Sequence, residues 1–200
     1  MKILRTEKLK REKLKREAGG APIFKILPFV VKKIGIVTTG SEVFHHRIED
    51  KFTPVVSAKV EEYGGEVIAQ RLSDDNTEMQ IDFINELLDL GAEIILCTGG
   101  MSVDPDDRTP YAIRKVSERV ISYGSPVLPG AMFMLAYKGD VPIVGLPGCV
   151  MYSKRTVFDL ILPRLMAKDP VTLEEINRLG EGGLCLNCEQ CTFPNCGFGK

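Results

Sequence analysis

From residue 32 onward, apolar positions come in short dense blocks separated by glycine, proline or acidic turns. Residues 33–39 set Ile34, Ile36 and Val37 ahead of Gly40, an apolar run of strand length that suits a strand covered on both faces. Residues 52–63 read as a helix stopped by Gly64-Gly65, and 66–72 as a second strand. Asn76 or Thr77 caps the next helix, whose apolar positions Met79, Ile81, Phe83, Ile84, Leu87, Leu88 and Leu90 run to Gly91. Residues 93–98 form a third strand. Thr109-Pro110, a cap followed by proline at the first helical position, opens a helix to about residue 117. Beyond it, 120–123 reads as a short strand, 131–137 as helix, Gly139-Asp140 as a turn and 141–146 as another strand. A long helix is expected over 149–166, bent or ended by Pro163.

Strands alternating with helices predict right-handed crossovers. The fold class is therefore α/β, in three layers, with a mostly parallel sheet and helices on both faces. The two ends differ from this body. Residues 7–11 and 12–16 repeat Glu-Lys-Leu-Lys-Arg, rich in helix formers and i,i+4 Glu–Arg pairs. A five-residue period rotates Leu4, Leu9 and Leu14 around the helix, so this segment reads as a solvated helix before a Gly19-Gly20 hinge, rather than an RNA- or membrane-binding arm. The expected organisation is a basic helix and linker over 1–31, the α/β domain over 32–168, and a cysteine-rich tail over 169–200 that stays apart from the core.

With 44% hydrophobic and 26% charged residues, the composition is that of a globular protein. No apolar run approaches the roughly 18 residues of a membrane span, and no apolar segment of a signal peptide succeeds the basic start. A cytoplasmic location without membrane contact is expected. The net charge is −1, yet residues 1–17 carry eight Lys/Arg against three Glu, so the body is acidic. An acidic body argues against nucleic acid as a partner, because that binding rests on neutralising phosphates.

The residues just beyond each strand matter most, since ligands of open α/β sheets bind outside the carboxyl ends of the strands. The four exits are Thr38-Thr39-Gly40-Ser41-Glu42, Ser73-Asp74-Asp75-Asn76, Thr98-Gly99-Gly100-Met101-Ser102 running on to Asp107-Arg108-Thr109-Pro110, and Leu146-Pro147-Gly148. Together they offer glycine-exposed backbone, hydroxyls, carboxylates and helix starts. Such a set suits an anionic ligand held by main-chain N–H groups, with carboxylates placed for a metal or a proton. Neither G-x-G-x-x-G nor G-x-x-x-x-G-K-[ST] occurs, which disfavours a dinucleotide fold and a P-loop phosphotransferase. His45 and His46 are sequence neighbours that point apart and read as loop residues.

These exits resemble the molybdopterin-binding domain shared by molybdopterin adenylyltransferases and molybdopterin molybdenumtransferases, over about residues 32–168. The likeness lies in Thr98-Gly99-Gly100 with Asp107 and Thr109-Pro110 downstream, and in Leu146-Pro147-Gly148. Thr39-Gly40-Ser41-Glu42 and Val127-Leu128-Pro129-Gly130 are similar to the molybdenumtransferase branch, with Ser41 where that branch has aspartate. The resemblance implies that Gly99, Gly100 and Ser102 hold the phosphate of a molybdopterin. Thr39, Gly40, Ser41, Glu42 and Thr98 line the same ligand, and Pro147 and Gly148 form a second pterin-contacting loop. Asp74 and Asp107 are implied to serve Mg2+-dependent chemistry at that phosphate. Two departures stand out: Pro147-Gly148-Cys149-Val150 replaces Pro-Gly-Asn-Pro, and Asp104-Pro105 replaces a glycine-like stretch. The implied function is a molybdenumtransferase-like step on adenylylated molybdopterin. The alternatives are a non-catalytic carrier or maturation factor for a client molybdoenzyme, and a nucleotide-processing relative of the competence- or damage-inducible type. A homo-oligomer, in particular a trimer, is also implied.

Cysteine use divides in two. Cys97 and Cys149 sit singly among apolar residues and read as core, Cys149 at a helix start that would lower its thiol pKa. Cys185, Cys188, Cys191 and Cys196 crowd into twelve residues, which in a cytosolic chain points to a metal rather than disulfides. Zinc usually takes two separated cysteine pairs, whereas successive x2 spacings wrap one face of a cubane. Here the last spacing is x4 and Pro194 precedes the final cysteine. A [4Fe–4S] cluster is favoured, with zinc as the alternative.

Overall fold

The structure, a computed structural model, describes residues 26–45 and 47–200. The basic helix expected near the start of the chain, and His46, lie outside the described residues. The elements in order are β1 (Lys33–Thr39), α1 (Ser41–Phe44), α2 (Phe52–Glu61), β2 (Glu66–Ser73), α3 (Thr77–Asp89), β3 (Ile94–Thr98), α4 (Thr109–Val116), β4 (Arg119–Tyr123), β5 (Met134–Lys138), β6 (Val141–Leu146), α5 (Val157–Met166) and α6 (Leu173–Arg178). Their order in space is β2-β1-β3-β6-β5-β4. The first four run parallel, and β5 and β4 add an antiparallel flank.

Period-2 alternation splits the apolar residues between two faces. Ile34, Ile36, Ile94, Leu96, Val144 and Leu146 meet Val56 and Val60 of α2 and Phe158, Ile161, Leu162 and Leu165 of α5. On the other face Val37, Ile95, Cys97 and Ile143 meet Ile84 and Leu87 of α3 and Ile113 and Val116 of α4. The three-layer α/β architecture is therefore as expected. Burial pushes the Cys97 thiol up to about 12, as befits a core cysteine.

Three local expectations are overturned. Residues 131–137 do not form a helix: Met134–Lys138 is a strand, joined to β6 through Gly139-Asp140 with Lys138 opposite Val141. Methionine, leucine and alanine favour helix locally, but pairing buries Phe133, Met134, Leu135 and Ala136 completely. The long helix over 149–166 is instead a 3-10 turn at Gly148–Met151 and a separate helix from Val157. The break is set by Thr156 and Asp159, a reciprocal capping box that starts α5 afresh. Pro163 lies inside α5 without ending it. Cys149 thus stands in the 3-10 turn rather than at a helix N-terminus, and burial raises its thiol pKa instead of lowering it. Third, the tail is not detached: Phe198 is 3% exposed within the core, with Phe193 and Cys185 packed against it.

Asp159 does more than cap. Its Oδ1 lies 2.6 Å from Lys59 Nζ of α2 and 2.9 Å from Arg155, and all but 2% of its side chain is buried. Removing one partner of a buried pair strands the other in low dielectric. Asp159→Asn is therefore expected to lower the unfolding free energy by about 3–5 kcal/mol. The loss would be read as a shift of the urea midpoint, and an unmoved midpoint contradicts this account.

Candidate functional site

Register builds the site. Thr39 pairs with Ser73, Thr38 with Thr98, and Thr98 with Leu146. The four parallel strands thus end level, and their exits stand side by side over about 14 Å at normal strand spacing. Asp74, Gly40, Gly99 and Pro147 all emerge on this one edge. Neighbouring exits also touch. The Gly40 N–H donates to the Ser73 carbonyl at 3.0 Å, and His45 Nε2 lies 3.7 Å from Asp74 Oδ2.

The exit of β3 is the tightest. Gly99 and Gly100 have φ of 79° and 54°, the left-handed region where a side chain is strained. A Cβ on Gly99 would sit 1.9 Å from the Thr39 carbonyl oxygen, and one on Gly100 would sit 2.8 Å from Thr109 Oγ1. Thr39 and Thr109, against which this turn packs, each keep a buried hydroxyl with no hydrogen-bond partner among the described residues. An unsatisfied buried hydroxyl costs about 1–3 kcal/mol, so each of these two, beside the glycine turn, calls for a partner such as an ordered water or a ligand group.

The loop from Ser102 to Asp107 closes on itself. Asp107 Oδ2 accepts the Ser102 N–H, the Asp104 carbonyl accepts the Asp107 N–H at 3.1 Å, and Ser102 Oγ accepts the Asp104 N–H at 3.2 Å. Asp107 thus braces the loop, and the Ser102 N–H is spent inside it. Asp74 is freer: Oδ1 accepts the Asp75 N–H at 2.9 Å and Oδ2 faces His45. The cap of α3 is Asn76, which accepts the Met79 N–H at 3.0 Å, so neither Asp74 nor Asp75 is spent on that helix. Ser41 and Glu42 form the single turn of α1, half-buried and exposed respectively. Pro147 and Gly148 lead into the 3-10 turn, with Gly148 exposed and nothing crowding its Cα.

Sequence reasoning passed over the polar layer beneath this edge. Asp50 Oδ2 accepts from Thr53 Oγ1 and Gln70 Nε2, both at 2.5 Å, and from Thr38 Oγ1 at 3.3 Å. Its Oδ1 takes the first N–H groups of α2, from Phe52 at 2.8 Å and Thr53 at 3.2 Å. The available signal was Asp50 two residues ahead of a helix start, together with the amide of Gln70 at the middle of a strand. Above that layer opens a cavity of about 300 Å³ lined by Val43, Arg47, Ile48, Glu49, Asp50 and Leu72. No three His, Cys, Asp or Glu side chains among the described residues converge to hold one metal ion.

The four tail cysteines are free thiols, and they line one cavity of about 380 Å³ together with Lys154 and Arg155. Lys154 and Arg155 lie in the stretch between the 3-10 turn and α5, not within a helix. The Cys191 thiol is held below its ordinary value by the Phe193 backbone N–H, with Arg155 and Lys154 adding to the effect.

Fold and edge define the class: a doubly covered α/β domain that presents glycine turns, hydroxyls and carboxylates on one sheet edge. The family model described as a probable molybdopterin binding domain matches residues 35–167. The chain belongs to that family of molybdenum cofactor biosynthesis domains. A molybdopterin molybdenumtransferase of Staphylococcus epidermidis is 22% identical over an alignment of 122 residues that covers 58% of this chain and 29% of that protein. A molybdopterin adenylyltransferase of Pyrococcus furiosus is 26% identical over 92 residues, 46% of this chain and 54% of that one. The chain therefore spans under a third of the first relative and about half of the second. The crystal structure of the molybdopterin biosynthesis enzyme MoaB of Thermus thermophilus superimposes with a TM-score of 0.61 at 23% identity, over 71% of this chain and 99% of that one, a likeness of fold.

Because the turn at Gly99 admits no Cβ, Gly99→Ala is expected to destabilise the domain by about 2–4 kcal/mol. Gly148→Ala, with open space around it, is expected to stay within about 0.5 kcal/mol of the unmodified chain. Thermal unfolding of the two variants tests the contrast, and equal midpoints contradict it.

Proposed function

We propose that the domain grips the phosphate end of molybdopterin along the edge formed by β2, β1, β3 and β6, and performs a molybdenumtransferase-like step on the adenylylated form. The observation that carries this reading is the Gly99-Gly100 turn, flanked by the unpartnered hydroxyls of Thr39 and Thr109. The turn brings backbone close to a ligand, and the hydroxyls offer donors to its phosphate oxygens. Thr98, Gly40, Ser41 and Glu42 lie on the neighbouring exits, and Pro147-Gly148 closes the far side.

The family's chemistry implies Mg2+, and the donor set fits it. Magnesium is held by one or two carboxylates plus substrate phosphates rather than by a closed cage of side chains. Asp74, with an oxygen facing only His45, and Asp107, with its second oxygen, would hold the ion. When bound, it would neutralise charge on phosphate oxygens. Asp107 also fixes the loop that meets the phosphate, and His45 orients Asp74.

A second reading is a carrier that delivers finished cofactor to a client molybdoenzyme. Asp107's engagement with Ser102 favours it, since a carboxylate that braces a loop shapes a binding site even without turnover. In either reading the tail cysteines are a metal site, of iron–sulfur or zinc type, and the protein is a homo-oligomer, in particular a trimer. Among the described residues no helix is long and apolar enough to cross a membrane.

Asp74→Ala is expected to keep pterin affinity while hydrolysis of adenylylated molybdopterin falls by about 100-fold. Asp107→Ala is expected to weaken binding and turnover together. Tight pterin binding with no turnover in the unmodified chain makes it the carrier, and equal affinity for simple nucleotides overturns both readings. Light scattering at micromolar concentration should return a trimer, which a monomer contradicts.

A further inference from the structure

The tail folds as a closed lobe. The Gly183 N–H donates to the Gly197 carbonyl at 2.9 Å and the Gly199 N–H to the Gly183 carbonyl at 3.0 Å, drawing the ends of the segment together. Phe198 anchors one end in the core, and the Cys185 N–H donates to the Leu128 carbonyl at 3.0 Å at the other. Lys154 Nζ donates to the carbonyls of Cys188 and Glu189, both at 3.0 Å, and the Arg155 guanidinium lies 4.8 Å over the Phe193 ring. Four thiols and two cations therefore share one hollow that backbone and aromatic contacts hold in place.

Its size and spread decide which metal. At about 380 Å³ the hollow is roomier than a lone ion needs. Zinc brings four sulfurs to about 2.3 Å from one point and usually takes two separated cysteine pairs, a spacing this segment lacks. A cubane needs the opposite arrangement, one thiolate on each of four separate irons around a central volume.

We propose that Cys185, Cys188, Cys191 and Cys196 ligate a [4Fe–4S] cluster in this hollow, with Lys154 and Arg155 as its counter-charges. This deepens the reading of the tail as a metal site and is independent of the pterin reading. The core with four thiolates carries about −2; Lys154 on the wall offsets part of this charge, and Arg155, itself paired with Asp159, adds a smaller share. Loading from a preformed cluster is a ligand exchange. Each protein thiol gives its proton to a departing small thiolate, one Fe–S bond forms as one breaks, and the iron oxidation states do not change.

The full chain, purified without oxygen, is titrated with a synthetic [4Fe–4S] thiolate cluster and, in parallel, with zinc alone. The expected result is about four iron and four sulfide per chain, with a broad visible band that bleaches on reduction. Cys191→Ala should lose at least one iron per cluster while far-UV circular dichroism stays unchanged. Lys154→Gln should load but release iron to a chelator several-fold faster. One zinc per chain with no retained sulfide overturns the proposal, as does failure to retain either metal. An unchanged release rate in Lys154→Gln overturns the counter-charge role. Pterin affinity, measured on the same samples, distinguishes a failure here from a failure of the phosphate site.

Discussion

Everything at the candidate site depends on four parallel strands ending level. Parallel ladders fix each strand against its neighbour along the whole edge, and a slip of one residue would turn each side chain to the opposite face. Here Thr38, Thr98 and Leu146 are locked in one row, with Thr39 and Ser73 one step beyond. The exits have no freedom to part, so residues distant in sequence share one rim. Exit loops alone would not achieve this, since each is short and polar and has little surface of its own to bury.

Beneath the rim lies a second constraint, the Asp50 carboxylate. It gathers a hydroxyl from β1, an amide from β2 and the first N–H groups of α2 into one polar layer. A half-buried carboxylate is best tolerated when its lone pairs are filled, and here five donors fill them. The layer ties the start of α2 to the strand ends.

Much of this was legible in the residues. Strands such as Ile34-Gly35-Ile36-Val37 and Ile94-Ile95-Leu96 are short apolar runs between turn residues, and parallel pairing needs that continuous burial on both faces. Asn76 caps its helix as its position suggests, whereas at Thr109-Pro110 the cap is Arg108, one residue earlier, and Thr109 is already the first helical residue. The failures came where tertiary contact overrides local preference. Met134–Lys138 is built of helix formers, but its partner across the hairpin decides its conformation. The restart at Thr156 was missed because a single capping pair, Thr156 with Asp159, marks it, and Ser153-Lys154-Arg155 ahead of it read as the polar face of one helix. Asp50 and Gln70 were invisible for a related reason, because each means little until the other is brought beside it. The tail was set apart from the core because Phe193 and Phe198 show no periodicity, and an aromatic anchor needs none.

The connection from β6 to α5, its 3-10 turn included, has one further consequence. It begins at Pro147-Gly148 on the rim and ends at Lys154 and Arg155 on the cysteine lobe, pinned beyond by Asp159. Both ends hang on about eight residues of backbone, too short a tether to behave as two independent parts. Whatever free energy links occupancy of the lobe to occupancy of the rim must then have the same value from either direction. Any displacement of Lys154 and Arg155 is therefore passed to Pro147-Gly148 across a short span of backbone rather than lost in slack chain.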